Sequence, residues 1–79
     1  MQKAIAVYSK PNCVQCTATY RLLDKLGLEY TEIDITQDAT AYEYVTKTLG
    51  YSAAPVVVTE DNHWYGLRVD LINALAVSK

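Results

Sequence analysis

The fold is decided by one stretch near the N-terminus, Lys3-Ala-Ile-Ala-Val-Tyr-Ser-Lys-Pro-Asn-Cys-Val-Gln-Cys16. Residues 3–8 form a short apolar run rich in β-favouring side chains, which predicts a buried strand. The next four residues interrupt it, because Pro11 disfavours helix at the residue before it and Asn12 is a good candidate for a helix N-cap. From Cys13 onward apolar residues recur at helical spacing, and Gly27 is expected to end that helix.

The rest of the chain continues the alternation of strands and helices. The predicted elements are a strand over 29–35, a helix over 38–49, a strand over 55–59, an extended segment at 64–65 and a helix over 68–77. Pro55 stands first in its strand, where its missing N–H is tolerated, and the polar turn before Trp64 favours a hairpin. The order βαβαββα predicts a single α/β domain over 1–79, with a four-stranded mixed sheet flanked by three helices.

Composition narrows the possible functions. The chain has 79 residues, of which 51% are hydrophobic and 20% charged, so it supports one modest core and is neither disordered nor of low complexity. Its net charge is −2 and its seven basic residues are scattered, which leaves no basic face for nucleic acid or anionic lipid. No apolar run approaches the roughly 20 residues of a membrane span, and no signal peptide is expected. We therefore expect a soluble, cytoplasmic monomer.

The two cysteines, Cys13 and Cys16, form a Cys-x-x-Cys sequence. A bridge across so short a loop contributes only about 2 kcal/mol in loop entropy, so a purely structural disulfide is disfavoured. A structural zinc site normally needs four ligands, and the single histidine, His63, is far away in sequence. The spacing favours a redox dithiol over two thiols that are close by chance, with no bound cofactor or metal expected.

The predicted position of Cys13 favours reactivity. The first N–H groups of a helix lack partners and carry partial positive charge, which stabilises a thiolate at that end. Lys10 either adds to this effect or is an ordinary exposed lysine. Cys16 lies one turn further on, on the same side of the helix and shielded. We therefore expect Cys13 to attack a substrate disulfide and Cys16 to resolve the mixed disulfide.

Several stretches resemble the NrdH-redoxins, which are glutaredoxin-like members of the thioredoxin superfamily: Val7-Tyr-Ser-Lys-Pro-Asn-Cys-Val-Gln-Cys-Thr-Ala-Thr19, Gly50-Tyr51, Ala54-Pro-Val-Val-Val58 and Trp64-Tyr-Gly-Leu-Arg-Val-Asp70. The resemblance covers essentially the whole chain and implies a thioredoxin/glutaredoxin-like fold. It implies a small dithiol–disulfide oxidoreductase that reduces the active-site disulfide of class Ib ribonucleotide reductase, on the large subunit. It also implies recycling by thioredoxin reductase with electrons from NADPH.

The resemblance assigns roles by position. It implies that Cys13 is the nucleophile and Cys16 the resolving thiol. Pro55 matches the superfamily's cis-proline, although the general frequency of cis X–Pro bonds, about 5–6%, predicts trans. A cis bond there would present the backbone of Ala54 to an extended substrate. The expected groove for substrate or partner is formed by Lys10, Val14, Gln15, Ala54, Pro55 and Trp64.

The tail of the chain departs from the family pattern Trp-Ser-Gly-Phe-Arg-Pro-Asp, with Tyr65, Leu67 and Val69 at three of its positions. Two alternative functions stay open. One is a glutathione-dependent glutaredoxin, although such proteins usually carry Cys-Pro-Tyr-Cys and a Gly-Gly pair followed by an acidic residue. The other is a dimeric module whose thiols hold a metal or cluster.

Some side chains have two possible interpretations. Trp64 is either a core residue or an exposed aromatic that docks partners. Arg68 and Asp70 are expected to form a local arrangement at a helix start. Tyr42 and Tyr44 cannot both face the core from one helix, because residues two apart lie on different faces. We expect Tyr42 in the core and Tyr44 at the surface.

Overall fold

The computed structural model describes residues 4–77. Its elements are β1 (Ile5–Ser9), α1 (Val14–Lys25), β2 (Thr31–Asp34), α2 (Ala39–Glu43), a π-helical segment (Tyr44–Thr48) that continues α2, β3 (Val56–Thr59), β4 (His63–Tyr65) and α3 (Val69–Val77). The predicted order βαβαββα is confirmed. Lys3, which the sequence assigns to the first strand, lies outside the described residues. Within residues 4–77 none of the helices is long and apolar enough to cross a membrane.

The four strands form one mixed sheet in the order β2-β1-β3-β4. β1 runs parallel to β2 and antiparallel to β3, and β3 and β4 form the predicted antiparallel hairpin. Tyr8, near the end of β1, pairs with Val56 at the start of β3. The segment that follows β1 and the segment that precedes β3 therefore meet at the same end of these two central strands. That meeting point is where the two cysteines lie.

Alternation along β1 gives the sheet two covered faces. One face carries the main core, in which buried residues of β1, β3 and β4 pack against α1, the loop that follows it and α3: Ile5, Val7, Leu23, Leu28, Val57, Trp64 and Ile72. The other face carries Tyr8, whose ring lies 5.7 Å from that of Tyr44 in the π-helical segment. Since apolar burial contributes roughly 25 cal/mol per Å², the larger first cluster contributes most of the hydrophobic stabilisation.

The end of α1 is fixed by a Schellman arrangement. Gly27 takes a left-handed φ of 70°, which glycine adopts without steric cost. The N–H of Leu28 donates to the carbonyl of Leu23 at 3.0 Å, and the N–H of Gly27 donates to that of Asp24 at 3.0 Å. The predicted stop at Gly27 is confirmed, and it sends the chain directly into the loop before β2.

The expected placement of the two helical tyrosines is wrong. Tyr42 is 54% exposed, whereas Tyr44 is half-buried against Tyr8. Ala41 and Val45 are both buried and define the inner line of the helix. At 100° per residue Tyr42 and Tyr44 lie equally far from that line, on opposite sides of it, so helical spacing does not choose between them. The ring of Tyr8 lies on the side of Tyr44, and the contact with it partly buries Tyr44.

Candidate active site

The two cysteines form a disulfide across the first turn of α1. Cys13 is the N-cap, with φ −112° and ψ 107°, and the N–H of Cys16 donates to its Sγ at 3.2 Å. The N–H of Thr17 donates to the carbonyl of Cys13 at 3.1 Å. The sulfur thus occupies the position that a serine or aspartate oxygen usually fills at a helix start.

The prediction that Asn12 is the N-cap is wrong by one residue. Asn12 adopts a left-handed φ of 58°, a conformation that asparagine tolerates better than most side chains. It turns the chain just before the helix, and the capping role passes to Cys13. Because of that turn, a cysteine sulfur rather than an amide oxygen receives the unpaired N–H of the first turn.

The two sulfurs differ in accessibility. Cys16 is buried, with 2% of its surface exposed, while Cys13 is half-buried. Val14, between them, is 84% exposed. Of the two thiols, Cys13 is therefore the one that a second protein can reach.

The cis-proline implied by the resemblance is present. The Ala54–Pro55 peptide bond is cis, and the Sγ of Cys13 lies 3.9 Å from the carbonyl oxygen of Ala54. These two residues are 41 positions apart in sequence. The antiparallel pairing of β1 with β3 brings Cys13 and Ala54 together, because the end of β1 lies beside the start of β3.

The residues expected to form the partner groove fall on two sides of this cis peptide. Lys10 and Ala54 line a cavity of about 320 Å³, with Ile35, Thr36, Tyr42, Val45 and Thr46 among its other residues. Gln15 and Trp64 line a second, more open cavity of about 590 Å³, shared with Tyr51, His63, Tyr65, Leu67 and Arg68. Val14 is exposed at the surface and Pro55 is buried, and neither lines these two cavities.

Trp64 belongs to the core, and its interpretation as an exposed docking aromatic is wrong. Only 5% of its surface is exposed, and it packs in the main core cluster. Two exposed aromatics lie beside the active-site segment: Tyr42 lines the same cavity as Lys10 and Ala54, and Tyr65 lines the cavity shared with Gln15. Sequence reasoning missed Tyr42 because it assigned that side chain to the core.

One long-range hydrogen bond joins the Cys-x-x-Cys segment to the tail. The Oε1 atom of Gln15 accepts from the N–H of Leu67 at 3.3 Å, across 52 positions of sequence. The neighbouring Gly66 takes a φ of 82° and donates its N–H to the carbonyl of Pro55 at 2.8 Å. The loop before α3 is therefore held against both the first turn of α1 and the cis-proline.

Arg68 and Asp70 form the local arrangement expected at the start of α3. The guanidinium of Arg68 donates from Nε to Oδ1 of Asp70 at 3.3 Å and from Nη2 to Oδ2 at 3.2 Å. This hydrogen bonding from Arg68 lowers the pKa of Asp70 below its ordinary value, and the N–H of Leu71 acts in the same direction. Both side chains are exposed. The charge of Arg68 is thus already matched by a carboxylate in the first turn of α3.

Comparison with known proteins places this site in a family. The Glutaredoxin family model matches residues 5–64. The glutaredoxin-like protein NrdH of Salmonella typhimurium is 36% identical, over 91% of this chain and 88% of its own length. The chain belongs to the glutaredoxin family, in its NrdH-redoxin branch. The NrdH protein of Lactococcus lactis is a further relative, 33% identical over 91% of this chain and 99% of its own length.

Solved structures agree with this NrdH-redoxin assignment. The structure of NrdH-redoxin from Escherichia coli superposes with a TM-score of 0.86 at 35% identity, covering 91% of this chain and 93% of the other. The predicted thioredoxin/glutaredoxin-like fold is confirmed. With its Cys13–Cys16 pair, the chain is a thiol–disulfide oxidoreductase of the NrdH type. Across residues 4–77, no group of three or more His, Cys, Asp and Glu side chains is placed to hold a metal ion.

Proposed function

We propose that this chain donates electrons to class Ib ribonucleotide reductase by reducing the active-site disulfide of its large subunit. In this proposal thioredoxin reductase, with NADPH, returns the chain to the dithiol form. The observation that carries the proposal is the asymmetry of the pair, with Cys13 half-buried at the helix start and Cys16 at 2% exposure behind it. The E. coli NrdH-redoxin, 35% identical, is described as glutaredoxin-like with a thioredoxin-like activity profile, which supports thioredoxin reductase as the electron source.

The proposed reaction exchanges one disulfide for another. The Cys13 thiolate attacks one sulfur of the target disulfide, whose S–S bond breaks as a mixed disulfide forms and the departing thiolate takes up a proton. Cys16 then gives up its proton and attacks the Cys13 sulfur, which restores the Cys13–Cys16 disulfide and releases the second target thiol. The target gains two electrons and two protons. The N–H of Cys16, 3.2 Å from Sγ of Cys13 in the disulfide form, stabilises negative charge on that sulfur.

The backbone beside Cys13 supplies a means of holding the target. The carbonyl of Ala54, 3.9 Å from the Cys13 sulfur, accepts a backbone N–H from an extended target segment. Lys10 and Tyr42 line the same cavity as Ala54, and the exposed Val14 follows Cys13 in the chain. We propose that they contact the residues next to the target cysteine, and that the chain acts as a monomer in the cytoplasm.

A coupled assay tests the electron source. NADPH consumption with a disulfide substrate is followed with thioredoxin reductase and, in parallel, with glutathione plus glutathione reductase. We expect turnover with thioredoxin reductase, none above background with Cys13→Ser, and little with glutathione. Turnover with glutathione alone would instead indicate the glutathione-dependent glutaredoxin function, which the Glutaredoxin family match keeps as the second candidate.

A trapping experiment tests the target. The Cys16→Ser variant lacks the resolving thiol, so its Cys13 is expected to stay joined to the ribonucleotide reductase large subunit as a mixed disulfide. Non-reducing electrophoresis and mass spectrometry identify the joined peptide. A large subunit that forms no adduct while other protein disulfides do would overturn the assignment of the target and leave the redox chemistry intact.

A further inference from the structure

Gln15 makes a contact that neither the disulfide exchange nor the helix requires. Its side chain is on the exposed side of α1, yet its Oε1 accepts the N–H of Leu67 at 3.3 Å. A Cβ built on Gly66 would lie 3.6 Å from the same oxygen, so the loop packs closely over the carboxamide. Gln15 thus joins the active-site turn to the segment that leads into α3.

The segment bonded to Gln15 resembles an anion-binding site, but two of its hydrogen-bond donors already have partners within the chain. Residues 66–68 lead into the N-terminus of α3, where backbone N–H groups attract negative charge. The Leu67 N–H is occupied by Gln15, and the Arg68 guanidinium by the Asp70 carboxylate. An incoming carboxylate therefore meets a bonded amide and a paired cation.

This arrangement bears on which disulfides the chain accepts. We propose that Gln15 is a specificity-determining positioning residue. It occupies the Leu67 N–H as a hydrogen-bond acceptor and so disfavours the binding of small anionic disulfides such as glutathione disulfide. A protein disulfide presented on an extended strand makes its backbone contact at Ala54 and does not need the Leu67 amide. The selection of protein targets implied here rests on the proposed function, whereas the discrimination against small anions does not.

The test measures mixed-disulfide formation in a Cys16→Ser background, where no resolving thiol competes. The Cys13 thiolate attacks one sulfur of glutathione disulfide, the bond between the two glutathione halves breaks, and a glutathione thiolate leaves. The same equilibrium is measured with bis(2-hydroxyethyl) disulfide, which is of similar chemistry but carries no carboxylate. The ratio of the two equilibrium constants cancels any change in the reactivity of Cys13 itself.

Three substitutions make the ratio informative. Gln15→Met keeps the length of the side chain but removes the acceptor, and we expect it to raise the ratio about threefold to tenfold, the effect of one freed hydrogen-bond donor. Gln15→Glu keeps an acceptor for the Leu67 N–H, and we expect a ratio equal to or below that of the parent. Gln37→Met makes the same chemical change at another exposed glutamine and should leave the ratio unchanged.

A second readout follows the hydrogen bond directly. The Leu67 amide proton is expected to exchange with solvent faster in Gln15→Met than in the parent or in Gln15→Glu. A ratio in Gln15→Met within twofold of the parent, or a rise in Gln15→Glu as large as that in Gln15→Met, overturns the proposal. Since this assay contains neither thioredoxin reductase nor ribonucleotide reductase, its result is separate from the fate of the proposed function.

Discussion

Two helices of this molecule begin in nearly the same way and serve different ends. Cys13 caps α1 with φ −112° and ψ 107°, and Asp38 caps α2 with φ −132° and ψ 100°. In each, the capping side chain accepts the N–H of the third residue on, at 3.2 Å from Cys16 and at 3.0 Å from Ala41. Local backbone geometry therefore does not distinguish the reactive turn from the structural one.

The difference lies in what surrounds each cap. Asp38 is exposed, while Cys13 is half-buried with the Ala54 carbonyl 3.9 Å from its sulfur and a second sulfur one turn further along. At both helix starts an N–H of the first turn donates a hydrogen bond to the capping side chain. A helix start therefore supplies the N–H donor, and distant segments of chain turn one such start into a site.

The largest effect comes from replacing the sulfur. Cys13→Ser and Cys13→Ala are both expected to abolish disulfide reduction, because neither variant has the nucleophile. In the reduced protein Cys13→Ser should be about 1 kcal/mol more stable than Cys13→Ala, since serine still caps the helix and alanine does not. Urea denaturation under reducing conditions measures the difference. Equal stabilities would mean that the cap at Cys13 contributes nothing to folding.

A smaller effect comes from breaking the other cap. Asp38→Ala is expected to lower the free energy of unfolding by about 1 kcal/mol, with turnover within twofold of the parent. Asp38→Asn preserves the acceptor and should recover most of the loss. A fall in turnover as large as that of Cys13→Ala would show that the two helix starts are coupled, contrary to the comparison.

The smallest effect concerns the third helix start. The pKa of Asp70 is lowered by the hydrogen bonds from Arg68, so the charged carboxylate is favoured in the folded chain. Its contribution to stability is present above the ordinary carboxyl pKa of 3.8 and is lost as the pH falls through the lowered value. The stability difference between the parent and Asp70→Asn should therefore shrink below that pH in urea denaturation. A difference that stays constant across the range would remove the charged pair as its cause.

Local patterns predicted most of the fold. The order of elements, the stop at Gly27 and the position of Cys13 at a helix start follow from spacing and from helix-ending residues within a few positions of each other. The cap at Asn12 was mispredicted because a left-handed residue and a true N-cap favour the same side chain. The burial of Tyr42 and Tyr44 was predicted the wrong way round, because helical spacing places both residues at the edge of the buried face.

The parts of the site that depend on distant segments were not predictable from local pattern. Nothing near Gln15 indicates that its oxygen meets the Leu67 amide, 52 positions away. The cis bond before Pro55 is predicted by the family resemblance alone, since the residues themselves favour trans. The burial of Trp64 was one of two open interpretations, because its environment depends on how α1 and α3 cover the sheet.

The disulfide segment is joined to backbone contributed much later in the chain. Ala54 lies 41 positions beyond Cys13, and Leu67 lies 52 beyond Gln15. A nascent chain emerging from the ribosome carries both thiols long before it carries either of these neighbours. Until its last third has been synthesised and folded, it lacks both the Ala54 backbone proposed to hold a target and the loop proposed to disfavour small anions. The proposed selectivity is thus acquired at the end of synthesis, whereas the reactive groups are present from near its beginning.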